Sequence, residues 1–168
     1  MSRREVDPEE LRHLTEVFSK HSADDPESWA RSQLAEGIPQ LAIFCFAKAL
    51  WEGVIEENDN SWIEADIERA KSMPTAPCAQ SGQALEEMLA KGVSLQSITD
   101  LVRVYQFNSL YHACSLLDGS RVVDAPINSW ALHQTDENGE SVATIQGLHE
   151  VLLSLDPTGR EMRPKTNG

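Results

Sequence analysis

The sequence predicts a mainly α-helical fold: a single helical-bundle domain of about six helices with one small β-hairpin near the C-terminus. Three observations carry that expectation. Helix-start signals recur along the chain, apolar residues follow them at three- and four-residue spacing, and one Asn-Gly turn separates two short strand-like runs. With 168 residues, 40% of them apolar, one compact domain over residues 1–164 is expected, with 165–168 as a flexible tail.

The first helix opens at Asp7-Pro8-Glu9-Glu10, with a capping acceptor, proline at the first helical position and an acid at the third. Leu11, Leu14, Val17 and Phe18 continue it at helical spacing, which predicts a helix over 8–21. Asp25-Pro26-Glu27-Ser28 repeats the signal for a short helix to Ala35, ended by Gly37. Pro39 opens a strongly apolar helix through Leu50 and Trp51. Asn58-Asp59-Asn60 marks a turn, and Ser61-Trp62-Ile63-Glu64 reads as a further capping box for a helix to Ser72. Met73-Pro74-Thr75-Ala76-Pro77 is the best candidate for an internal linker.

A helix over 78–91, stopped by Gly92, follows. Ser94 then caps the longest helix, 95–117, with Gly119 behind it. Ile98, Leu101, Val102, Tyr105, Leu110, Tyr111, Cys114 and Leu117 leave this helix few fully polar faces, which places it at the centre of a bundle. Beyond Pro126, the runs at 130–135 and 140–145 flank Asp136-Glu137-Asn138-Gly139 and predict a hairpin that must pack on the helices. Residues 148–155 form a last short helix before Asp156-Pro157.

The net charge of −13 is unevenly spread. Residues 52–68 hold Glu52, Glu56, Glu57, Asp59, Glu64, Asp66 and Glu68, with no Lys or Arg. Such a field disfavours nucleic-acid phosphates and anionic membrane surfaces, which require a positive patch. It suits a basic protein partner, whose approach it would steer. Asp59, Glu64 and Asp66 fall near a predicted helix start, where acids stabilise the helix dipole. Glu52, Glu56 and Glu57 fall near a helix end, where they do not. The expected partner-binding set is therefore Trp51, Glu52, Glu56, Glu57, Asp59 and Trp62, with an indole as aromatic anchor.

Cys45, Cys78 and Cys114 form no C-x-x-C pair and read as buried free thiols. The start of the chain shows no secretory signal, and the apolar run 38–55 is interrupted by Pro39, Gln40, Lys48, Glu52 and Gly53, so a cytoplasmic location is expected.

Little in the chain points to catalysis, a cofactor or a metal. Arg103, Gln106, Asn108 and His112 on the long helix line either a small polar pocket or, more simply, a satisfied network between helices. His149-Glu150 matches half of a zinc-protease motif, but Leu153 stands where the second histidine belongs. In Asp156-Pro157-Thr158-Gly159-Arg160-Glu161-Met162-Arg163-Pro164, Asp156 and Thr158 can close a turn. Arg160 and Arg163 then either pin the tail to the protein's own acids or form an exposed grip for a partner or an anionic ligand. Together with Gly147-Leu148-His149-Glu150, this run resembles the ending of a group of uncharacterised bacterial proteins. The likeness covers roughly the last half of the chain and implies a bacterial origin and a helical fold.

These readings lead to three functional expectations. The first is a binding protein that neutralises a basic partner, most concretely an immunity protein or antitoxin that occludes a toxin. The second is a non-enzymatic regulatory or scaffold protein that binds a small ligand or subunit through the long helix. The third is an enzyme that uses Arg103 and His112.

Overall fold

The computed structural model describes residues 5–119 and 130–164. It is mainly helical, with seven helices and one hairpin among those residues: α1 (Pro8–Lys20), α2 (Pro26–Glu36), α3 (Gln40–Trp51), α4 (Ser61–Ser72), α5 (Gln80–Ala90), α6 (Leu95–Leu117), β1 (Leu132–Thr135), β2 (Ser141–Ile145) and α7 (Leu148–Ser154). The expected tail at 165–168, the first four residues and Pro126 lie outside the described residues. No helix of the described residues is long and apolar enough to cross a membrane.

The start signals work largely as the sequence suggests. Asp7 Oδ1 accepts from the amides of Glu9 at 2.7 Å and Glu10 at 3.2 Å, and Asp25 Oδ1 accepts from Ser28 at 3.1 Å. Ser94 Oγ accepts from the Ser97 amide at 3.1 Å. Each such cap is worth about 1 kcal/mol. The box at 61–64 is a correction. Ser61 is already the first residue of α4, and Asp59 from the preceding turn accepts from its amide at 2.8 Å and its hydroxyl at 2.6 Å. The strands pair antiparallel with Leu132 opposite Ile145, and Asp136 Oδ1 closes the turn on the amides of Asn138 and Glu140, both at 2.9 Å.

The chain falls into two compact units, residues 52–110 and the remainder, so the break at 73–77 lies inside a unit. In the first unit, α1 packs on α2, α2 on α3, and α3 on α7. Its core is aromatic. Phe18 and Phe44 meet edge-on at 5.7 Å, and Trp29 contacts them at 6.1 and 5.5 Å. Ala30 completes this cluster, with Leu11, Leu14, Leu41 and Leu155 packed around it. The second unit joins α4 to α5 around the smaller aliphatic cluster of Ile63, Leu85 and Ile98. Buried Gly82 lets the two helices approach closely: a Cβ there would run into Ala70 and stand 3.1 Å from the Asp66 carbonyl.

Helix α6 departs from the expected apolar centre. Leu101, Val104 and Tyr105 are 52%, 43% and 66% exposed, whereas Thr99 and Arg103 are buried. Its inward side is in part polar because, in the second unit, it packs against a loop whose backbone needs hydrogen-bond partners. Cys78 is a second correction. It is exposed, whereas Cys114 is buried and Cys45 half-buried.

Candidate partner-binding groove

The acidic stretch divides by structural duty. Between α3 and α4 the chain has no helical ladder to satisfy its amides, and polar side chains of α6 do so. Arg103 Nη1 donates to the Ile55 carbonyl at 2.6 Å, and Gln106 Oε1 accepts from the Ile55 amide at 2.9 Å. Gln96 Nε2 donates to the Glu57 carbonyl at 2.8 Å. Thr99 donates to Asn60 Oδ1 at 2.7 Å while accepting from the Trp62 indole at 3.1 Å. Residues 96, 99, 103 and 106 follow helical spacing, so one stripe of α6 clamps the whole loop. Of the loop's acids, Glu52 and Glu56 are exposed and Glu57 is half-buried.

Within α4 the acids separate again. Asp66 bonds Arg69 on its own helix and the Ser81 hydroxyl of α5, and these donors, Arg69 first, hold its carboxyl below the usual range. Asp59 is likewise lowered by the Ser61 hydroxyl and amide it caps. Glu64 and Glu68 have neither duty. They stand one helical turn apart on the wall of a groove of about 730 Å³. Ile63, Ile67, Leu89 and Leu95 supply its apolar lining, and Glu86 from α5 adds a third carboxylate. Lys71 is the one cation among the described lining residues, and it bonds Glu86 at 2.6 Å. Asn60 and Ser61 also line the groove, so the clamped loop runs directly into it.

Several sequence-predicted site residues belong elsewhere. Trp51 is 6% exposed and donates its indole N–H to the Leu152 carbonyl at 2.8 Å, fastening α3 to α7, so it presents no anchor. Trp62 is half-buried against the Ile63 cluster and committed to Thr99. Arg103 and Gln106 turn inward to the loop, while Asn108 and His112 are exposed. Arg103 and Gln106 both hydrogen-bond the backbone of Ile55.

The C-terminal run is a knot around Asp156, which is 5% exposed. Its carboxylate accepts from the Thr158 amide at 3.1 Å, the Thr158 hydroxyl at 2.7 Å and the Met162 amide at 2.8 Å. Arg163 pairs with Glu161, and Arg160 donates to the Arg163 carbonyl at 3.3 Å, so both arginines serve this local turn. Sequence reasoning missed a second buried carboxylate. Asp118 accepts from the amides of Leu148 at 3.1 Å and His149 at 3.0 Å, and meets His149 Nδ1 at 2.6 Å. The nearby Cys114 thiol is pushed up to about 11, by burial first and then by the Asp118 charge. It stays protonated at neutral pH, so no thiolate nucleophile accompanies this Asp–His pair.

No family model, no curated protein and no solved structure matches the chain.

Proposed function

We propose that this is a non-enzymatic binding protein whose second unit captures a basic segment of a partner protein. A toxin inhibitor of the immunity-protein or antitoxin kind is its concrete form. The observation that carries the reading is the groove: an apolar lining walled by Glu64, Glu68 and Glu86, whose one described cation is already bonded. Apolar area supplies affinity, and the acidic excess left by Glu64 and Glu68 supplies orientation and speed of encounter. Exposed Glu52 and Glu56 extend the field along the loop. The Gln96, Thr99, Arg103 and Gln106 clamp fixes that loop before binding, which lowers the ordering cost of association.

Affinity capture from host cells tests this. Wild-type protein should retain a basic protein, and Glu64→Lys/Glu68→Lys should lose it. In the toxin form, expressing that partner alone arrests growth and co-expressing this chain restores it. Equal recovery on both baits, or a retained partner without basic excess, contradicts the proposal.

A further inference from the structure

Lys71 stands in the last turn of α4 and reaches across to α5, where its ammonium bonds Glu86 at 2.6 Å. Both side chains line the groove and both stay open to solvent, at 62% and 46% exposure. An ion pair this exposed contributes little to stability. The two helices do not depend on it. Gly82 already seats α5 against Ala70, and the Ser81 hydroxyl of α5 donates to Asp66 of α4.

Arg69 shows how a cation of the same helix is placed when it serves its own element. It bonds Asp66 three residues before it and does not border the groove. Lys71 has Glu68 at the same spacing, yet its ammonium lies with Glu86 on the neighbouring helix. Among the described residues, neither Glu64 nor Glu68 pairs with a cation. The charges of the lining therefore divide into one closed pair and two open carboxylates, a net of −2 where three acids alone would give −3. Lysine suits such a place. Its ammonium is a point charge on a flexible stem, and at this exposure it can turn into water without leaving a buried group unpaired.

Resting on the groove reading above, we infer that Lys71 is a built-in competitor for the partner's cations and sets how many of them the groove reads. Glu64 and Glu68 take two basic residues of the partner segment. A third must displace Lys71 from Glu86, which exchanges one ion pair for another at little gain. The wild-type groove thus reads two basic residues beside apolar ones and is nearly blind to a third. Loss of the Lys71 charge turns Glu86 into a third point of recognition.

The probes are the blocked peptide acetyl-Lys-Leu-Ala-Leu-Lys-Leu-Ala-Leu-Gln-amide and the same peptide with its final Gln replaced by Lys. Both are titrated at low ionic strength. The added lysine should improve Kd less than about twofold for wild type and at least about fivefold for Lys71→Gln. Lys71→Gln/Glu86→Gln should return the gain to less than about twofold, because the carboxylate that reads the third lysine is gone. Arg69→Gln removes the same charge outside the groove and should keep the wild-type gain. An equal gain in wild type and Lys71→Gln, or an equal rise in Arg69→Gln, overturns the role of Lys71 and leaves the groove standing. Failure of wild type to bind either peptide, or undiminished binding by Glu64→Lys/Glu68→Lys, removes the groove reading and this inference with it.

Discussion

The two units are held together by different chemistry. The first packs Phe18, Trp29 and Phe44 into an aromatic cluster. The second has a small aliphatic core and depends more on polar side chains, with Arg103, Gln106, Gln96 and Thr99 pinning the acidic loop. An aromatic core stabilises through area and tolerates little loss of volume. A polar clamp adds less stability per residue but fixes where charged groups stand. The second unit is therefore the one arranged around a surface.

The largest effect separates the units by core truncation. Phe44→Ala should cost about 3–5 kcal/mol in chemical denaturation, because 1% exposure leaves no room for partial solvation. A loss below about 1 kcal/mol would break the contrast. Next is Arg103→Met, which keeps much of the apolar stem but leaves the Ile55 carbonyl without its donor. It should cost about 1–3 kcal/mol and also weaken partner capture, although Arg103 is only 6% exposed. Unchanged capture would mean that the clamp does not organise the surface.

Acid titration sharpens the same contrast. Asp66 has a folded pKa below its unfolded value of about 3.9, with Arg69 as first cause and Ser81 as second. A depressed folded pKa contributes stability that is fully present above the unfolded value and lost as pH falls through the folded one. Asp66→Asn should thus flatten the decline in urea midpoint below about pH 4, with little change in its slope at neutral pH. An unaltered acid limb contradicts that role. The smallest effect is chemical: iodoacetamide at pH 8 should label exposed Cys78 and spare Cys114, whose thiol is buried and pushed up to about 11.

Much of the fold was legible because local signals are short-range. Asp7, Asp25 and Ser94 cap the helices they precede, and Asn138-Gly139 turns the hairpin. The site was legible only as composition. Sequence patterning located the acids and placed Glu64 in the first turn of α4, where it stands, but could not show that Glu64 also borders a groove. It offered Trp51 or Trp62 as an anchor, because only tertiary packing shows the Trp51 indole bonded to Leu152 and the Trp62 indole to Thr99. The groove depends on α4 meeting Glu86 and Leu89 of α5, a juxtaposition no periodicity records. The apolar stripe of α6 misled for the same reason: Leu101, Val104 and Tyr105 face outward, while Arg103 is buried.

The most direct measurement is the association rate of the captured partner with wild-type protein and with Glu64→Lys/Glu68→Lys, followed across ionic strength. A groove interface predicts a wild-type rate that falls steeply with salt, and a variant at least about tenfold slower at low salt with a much flatter dependence. Equal rates and equal salt slopes for the two proteins would contradict capture of a basic segment in this groove.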